Sequence, residues 1–188
     1  MKKFKLLGLV AILAIFMSTA LYAQGGLILK AEYDVSGNLK DKDDSGDGTD
    51  TKAGFGVAAE FMAGEGQFVY GIGGAYLFPR GSDDFGDDNA TFSFIPVYGV
   101  VKFNLMQGNL VPQVIGHIGY DFWTGSDELK GGGELTGGLY WAAGAGLEFG
   151  QLVVTGMYKV FSGKFENSGI TFFDGTYTTI TLGAGFAF

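Results

Sequence analysis

His117 is the only histidine of the chain, and Asp121 follows it four residues later. An imidazole near a carboxylate is the pair that general-base catalysis uses, provided that a nucleophile comes within hydrogen-bond reach. The alternative is an interior histidine whose ring nitrogens are satisfied by hydrogen bonds. Which of the two applies depends on the elements that position the ring.

A larger set of polar side chains, most of them ionisable, alternates with apolar neighbours along the chain: Lys30, Glu32, Asp34, Glu60, Lys102, Gln113, His117, Asp121, Glu148 and Lys159. If these side chains share an interior, opposite charges must pair, because an unpaired buried charge is costly. We predict an interior network made of Lys30, Glu32, Glu60, Lys102, His117, Glu148 and Lys159. This network is either a structural plug or the gate of a narrow polar path, in which the excess of carboxylates favours small cations.

A third candidate is a calcium loop. Asp41, Asp43, Ser45 and Asp47 place oxygens at alternating positions, and Gly46 stands where a sharp turn is needed. The twelfth position of the pattern is Lys52, where a bidentate glutamate is expected, and the register that begins at Asp43 also lacks it. The segment is therefore either a weak calcium site or a solvated acidic loop. We expect no other cofactor.

The elements that must position these residues are strands. We predict eight, over residues 27–35, 53–63, 68–78, 92–104, 111–123, 137–149, 152–161 and 177–188. Each is long enough to cross a bilayer at a tilt, which takes about 9 to 11 residues. The connections alternate between short segments (64–67, 105–110, 150–151) and long ones (36–52, 79–91, 124–136, 162–176), as in outer-membrane barrels with long external loops.

Within each predicted strand one face carries no charge. In the last strand, Ile180, Leu182, Ala184, Phe186 and Phe188 alternate with small or hydroxylated residues. A lysine on the lipid face near the midplane would cost roughly 2 to 4 kcal/mol, so the charged faces are assigned to the interior. The prediction is an all-β, eight-stranded, antiparallel up-and-down transmembrane barrel; a soluble ligand-binding barrel would have the reverse orientation.

Aromatic residues crowd the predicted strand ends, where two belts would anchor the barrel at the headgroup depth. The residues assigned to these belts are Phe68, Phe78, Phe92, Phe103, Phe122, Trp123, Phe149, Phe161, Tyr177 and Phe188.

The first residues of the chain predict export. Lys2, Lys3 and Lys5 precede an apolar run over residues 6–17, and small residues lead to Ala23. We predict a cleaved signal peptide over residues 1–23 and one barrel domain over residues 24–188. The chain has no cysteine and a net charge of −8, so a disulfide framework is excluded and nucleic acid is disfavoured as a partner.

Three segments carry a family resemblance: residues 144–149 (Gly-Ala-Gly-Leu-Glu-Phe), the strand that opens at residues 95–97 (Ile-Pro-Val) and ends at residues 102–104, and residues 183–188. Together with the export signal and the strand count, they resemble the small outer-membrane β-barrel family of OmpX, OmpW and opacity-protein relatives. The resemblance implies location in the cell outer membrane, contact with its lipid and lipopolysaccharide, and a monomer. It also implies that the barrel-assembly machinery recognises Phe188, Phe186, Leu182 and Ile180. From the acidic loops themselves we add the hypothesis that weakly bound divalent cations bridge them to lipopolysaccharide phosphates.

The resemblance is specific for architecture and only weakly specific for activity, because one scaffold hosts several functions. Lipid A deacylases of this size place a serine two residues after the histidine, and here that residue is Gly119. We therefore expect a non-enzymatic barrel whose acidic external loops serve surface interaction or envelope integrity. The alternatives are a narrow conduit for small solutes or cations and, third, a lipid A-modifying enzyme.

Overall fold

The computed structural model describes residues 26–42, 48–81, 91–126, 134–167 and 170–188. These residues form eight long strands and one short one: β1 (Leu27–Asp41), β2 (Thr49–Thr51), β3 (Gly54–Ala63), β4 (Phe68–Arg80), β5 (Phe92–Asn104), β6 (Leu110–Gly125), β7 (Glu134–Phe149), β8 (Leu152–Asn167) and β9 (Ile170–Ala187). In this part of the chain, no helix has the length and apolar character needed to cross a membrane.

Each long strand pairs antiparallel with its neighbour in the chain, and β1 pairs with β9, so that the sheet closes on itself. The short strand β2 pairs only with the end of β1 and lies outside the closed circuit. The predicted eight-stranded antiparallel barrel is therefore confirmed. Closure leaves the eight long strands without a free edge along the barrel wall.

The two rims of the barrel differ. Short segments at 64–67, 105–109 and 150–151 join the strands at one end, which we call the turn rim, as predicted. At the opposite end, which we call the loop rim, the strands run further than predicted: β1 continues to Asp41, and only residues 168–169 separate β8 from β9. The expectation of a long fourth loop over residues 162–176 was therefore wrong.

The strand extensions were missed because most of the described outward residues along them are polar. Their ladder continues through polar residues, with Lys40 opposite Thr176 and Lys164 opposite Asp174. The backbone hydrogen bonds that hold such a ladder are independent of side-chain polarity, whereas the sequence pattern reports only which side chains face hydrocarbon or water. The barrel wall therefore rises beyond its apolar belt at the loop rim.

The assignment of faces by two-residue alternation is confirmed along the barrel wall. Lys102 is 2% exposed, whereas Ile118 on the outer surface is 65% exposed. On β5, where the pattern was weakest, Phe94, Tyr98 and Val100 point inward with Lys102. One outward residue departs from the pattern: Val160 is buried, and it lies opposite Trp141 in the ladder.

Four of the aromatic residues assigned to membrane belts lie inside the barrel instead. Phe92, Trp123, Phe161 and Tyr177 are all buried and belong to the interior apolar cluster. Trp123, Phe161 and Tyr177 appeared to end their strands because these strands were predicted too short, whereas Phe92 begins β5 as predicted and points inward. Phe68, Phe78, Phe122, Phe149 and Phe188 do lie exposed on the outer surface.

Inward glycines make room for the interior rings, and Gly163 on β8 gives a direct test. A Cβ atom at Gly163 would lie 2.5 Å from the indole Cε2 of Trp123. We expect Gly163→Val to lower the free energy of unfolding by about 1 to 3 kcal/mol, because overpacking forces neighbouring side chains out of their rotamers. Urea unfolding of the protein in detergent micelles, followed by tryptophan fluorescence, measures this change.

The matched control is Gly116→Val on β6, where nothing lies within 4 Å of an added Cβ. This change should leave stability unaltered or raise it, since valine favours strands. An equal loss in both variants would contradict the packing that we describe.

Candidate functional site

Glu60 on β3 is the centre of the charged interior. Its carboxylate lies 2.5 Å from Lys30 Nζ, 2.9 Å from Lys102 Nζ and 3.6 Å from His117 Nε2. The hydroxyl of Tyr98 donates a hydrogen bond to Glu60 Oε1 at 3.3 Å. All five side chains are buried, and we call this group the Glu60 cluster.

The strand register and one glycine bring the Glu60 cluster together. Gly73 on β4 lies opposite both Glu60 on β3 and Tyr98 on β5. A Cβ atom at Gly73 would lie 2.6 Å from the Tyr98 ring and 3.0 Å from Glu60 Cγ. The missing side chain thus leaves the space in which the phenol of one neighbouring strand reaches the carboxylate of the other.

His117 on β6 is held by three interior partners. Its ring stacks on Tyr98 with centroids 4.3 Å apart, its Nδ1 lies 3.2 Å from the Tyr140 hydroxyl, and its Nε2 faces Glu60. The groups around the imidazole are two phenols and one carboxylate. No serine or threonine is among these described partners.

Two further ion pairs lie between the Glu60 cluster and the loop rim. Lys159 on β8 donates to Glu32 at 2.7 Å. Arg80 on β4 pairs with Asp34, which also accepts a hydrogen bond from Thr181 at 2.5 Å. Arg80 Nη1 donates in addition to the Tyr177 hydroxyl at 3.1 Å.

Sequence reasoning missed Arg80 and placed it in a loop. Strict alternation from the inward Leu77 would turn Arg80 outward, but the β4–β5 register shifts between these two residues. Such a bulge moves every following side chain to the other face. The surplus of predicted interior carboxylates was the one available signal, since it implied that a further cation lies inside.

Glu148, which we predicted in the charged network, lies half-buried near the turn rim and accepts a hydrogen bond from Gln113 Nε2 at 3.0 Å. Both side chains line a small polar cavity of about 180 Å³, together with Lys102 and Asn104. Glu148 thus faces Lys102 of the Glu60 cluster across a shared cavity.

Toward the loop rim, aromatic rings fill the barrel. Phe94 packs against Phe161, Tyr177 and Trp123, with ring centroids 4.7, 4.8 and 5.0 Å away. Phe92 contacts both Phe94 and Tyr177. We call these five residues the aromatic plug, and Tyr140 joins it to the Glu60 cluster through contacts with Phe161 and Tyr98.

The remaining predicted sites lie elsewhere. Of the calcium candidates, Asp41 belongs to β1, whereas Asp43, Ser45 and Asp47 lie outside the described residues, as does the predicted signal peptide over residues 1–23. The residues of the proposed assembly signal lie exposed on the outer surface: Ile180, Leu182 and Phe186 on β9, and Phe188 directly after it. Its recognition by assembly machinery stays a prediction.

Beyond the apolar belt, Asp174 on β9 holds two lysines at the loop rim. Lys42 Nζ lies 2.6 Å and Lys164 Nζ 3.3 Å from its carboxylate. The hydrogen bond from Lys42 lowers the pKa of the Asp174 carboxyl below its usual value.

The contacts of the Glu60 cluster predict how a substitution of Glu60 changes stability. Glu60→Gln keeps the side-chain size but leaves Lys30 and Lys102 buried without their carboxylate. We expect the free energy of unfolding to fall by about 3 to 5 kcal/mol, the usual cost of removing one partner of a buried ion pair. Urea titration in micelles measures the change.

Glu65→Gln, at an exposed position in the adjacent turn, is the control and should stay within about 0.5 kcal/mol of the unaltered protein. If Glu60→Gln were equally neutral, the carboxylate would not be the partner of both lysines.

Several solved structures are similar to the barrel of this chain. The outer-membrane enzyme PagL matches with a TM-score of 0.55 and 14% identity over 84% of this chain and 97% of that chain. Neisserial surface protein A (NspA) matches with a TM-score of 0.51 and 8% identity over 86% and 97%. The attachment invasion locus protein Ail of Yersinia pestis gives a TM-score of 0.48 and 16% identity over 87% and 99%.

No protein-family model and no curated protein sequence matches the chain. Identities this low carry information about the fold and none about activity. The chain has the fold of the small eight-stranded outer-membrane β-barrel proteins.

Proposed function

We propose that this protein is an integral outer-membrane barrel, closed to solutes and without catalytic activity, that presents its loop rim at the cell surface for surface interaction or envelope integrity. In this proposal residues 1–23 direct export and are removed. The observation that carries the proposal is the filled interior, in which the Glu60 cluster and the aromatic plug lie one above the other.

The outer surface supports membrane insertion. Large apolar side chains on every long strand are exposed there, including Val114, Ile118 and Leu182. An apolar surface that surrounds the whole barrel is far larger than the patches that soluble monomers expose. Hydrocarbon is the environment that suits such a surface, and the charged inner rows then face away from lipid.

The interior supports a closed barrel. An eight-stranded barrel is only wide enough for its side chains to fill it. Phe94, Phe161 and Tyr177 have no exposed surface at all, and Glu60 has none either. The polar cavity near the turn rim reaches Lys102, one of the cations bound to Glu60.

The surroundings of His117 support the absence of catalysis. Its ring is packed between interior phenols and beside the Glu60 carboxylate, away from the outer surface where a lipid substrate would lie. A base needs hydrogen-bond reach to both its nucleophile and the substrate. We interpret His117 as a stabilising part of the Glu60 cluster.

Planar-bilayer recordings test the closed barrel. We expect no discrete conductance steps from the unaltered protein, because the Glu60 cluster and the aromatic plug both obstruct the barrel axis. Glu148→Gln and Lys159→Gln should also be silent, and Leu182→Ala on the outer surface controls for insertion. Steps in the unaltered protein whose size changes in Glu148→Gln would instead establish the alternative function of a small-cation conduit.

Epitope tags test the orientation. A tag inserted between Gly81, which follows β4 at the loop rim, and Thr91, which precedes β5 there, should be labelled by antibody on intact cells. The same tag in the turn at residues 64–67 should be labelled only after the outer membrane is permeabilised, because short turns face the periplasm in this class of barrel. The reverse labelling would refute surface presentation of the loop rim.

A further inference from the structure

The small polar cavity near the turn rim has the size of a binding site for a small solute. Its volume is about 180 Å³, which holds about six water molecules or a solute with about as many non-hydrogen atoms. Glu148 and Asn104 in its wall are only half-buried, so a solute can reach the cavity from the turn rim. The function proposed above makes no use of this space.

Three adjacent strands supply the polar groups of the cavity wall. Lys102 and Asn104 lie on β5, Gln113 on β6 and Glu148 on β7. Asn104 lies opposite Gln113 in the β5–β6 ladder, and Glu148 lies two residues beyond the position opposite Gln113 on β7. The strand register therefore gathers one ammonium, two amides and one carboxylate around a single space.

Two amide oxygens of the wall lack a donor. Gln113 is 3% exposed, yet its Oε1 accepts no hydrogen bond within the described part of the chain, and the same holds for Asn104 Oδ1. The amide nitrogen of Gln113 must face Glu148, because a carboxylate can only accept. Asn104 Nδ2 donates to the carbonyl oxygen of Gly66 at 2.7 Å. Since buried acceptors are rarely left unpaired, these oxygens indicate a ligand that donates hydrogen bonds.

The wall also carries both signs of charge. The Lys102 ammonium has three N–H donors, and its contact with Glu60 at 2.9 Å uses one of them. Glu148 is held by the Gln113 amide. Around the cavity and the Glu60 cluster, two lysines stand against two carboxylates, so a ligand with a net charge would disturb this balance at a cost. A ligand that carries one charge of each sign leaves the balance unchanged.

From these groups we infer that the turn-rim cavity binds a small zwitterionic α-amino acid of the size of glycine or alanine. The ligand carboxylate accepts hydrogen bonds from Lys102. The ligand ammonium has three donors, which match the oxygens of Glu148, Gln113 and Asn104. The rest of the wall is apolar, as at Met62, and suits a methyl side chain. This site depends neither on the membrane orientation nor on the surface role proposed above.

Titration of the protein with alanine in detergent micelles tests the site, followed by methyl NMR of Met62, whose side chain lines the cavity. We expect alanine to shift the Met62 signal. We also expect it to raise the urea concentration at the unfolding midpoint, because a ligand that binds only the folded state stabilises that state. Methylamine and acetate each carry one half of the zwitterion, and each should bind at least about tenfold more weakly than alanine, since hydrogen bonds to charged groups are lost.

Glu148→Gln removes the charge that faces the ligand ammonium and should weaken alanine binding by about tenfold. Glu65→Gln is the matched control, because Glu65 lies exposed in the turn at residues 64–67 and outside the cavity wall. This control should change the affinity less than about twofold.

An unchanged Met62 signal in the presence of alanine, equal binding of the three probes, or an equal loss in both variants would overturn the inference. The comparison of the three probes uses the unaltered protein, so the test remains valid even if Glu148→Gln does not fold. Conductance of the unaltered protein bears on the closed barrel and alanine binding bears on the cavity, so the two proposals can fail separately.

Discussion

The structure depends on the pairing of charges inside a barrel that is too narrow to hydrate them. An unpaired carboxylate or ammonium in such a space costs several kcal/mol, so each interior charge needs a partner within reach. Glu60 meets this requirement for two lysines at once, and Arg80 and Lys159 meet it for Asp34 and Glu32. The strand register, the glycine opposite Glu60 and the bulge before Arg80 all serve these pairings.

The interior is divided by chemistry along the barrel axis. Gln113, Glu148 and the Glu60 cluster lie toward the turn rim around the polar cavity, whereas the aromatic plug lies toward the loop rim, with the Arg80–Asp34 pair beside Tyr177. Packed rings lower the local dielectric, which strengthens the electrostatic interactions beside them. Tyr98, Tyr140 and Tyr177 combine both chemistries, since each packs as a ring and bonds as a hydroxyl.

The sequence predicted the fold well and the site only in part. Alternation identified the inner face of each strand, including Lys102 and His117, because a period of two residues is a local property of extended backbone. Alternation failed at Arg80, where a bulge breaks the two-residue period. It also failed in the extensions of β1, β8 and β9, where polar and apolar residues no longer alternate. It also assigned Phe161 and Tyr177 to the membrane, because strands whose ends lack an alternating apolar signal are predicted too short.

The amino-acid order alone determined the class of the barrel and which side chains turn inward, since strand periodicity and the cost of a charge in hydrocarbon act on each segment separately. The three-dimensional structure decided which of those inward groups meet. Glu32 and Lys159 are 127 residues apart in the chain, and a shift of one residue at any strand pair between them would separate the two groups. That relation is set by closure of the whole sheet, and no single segment contains it.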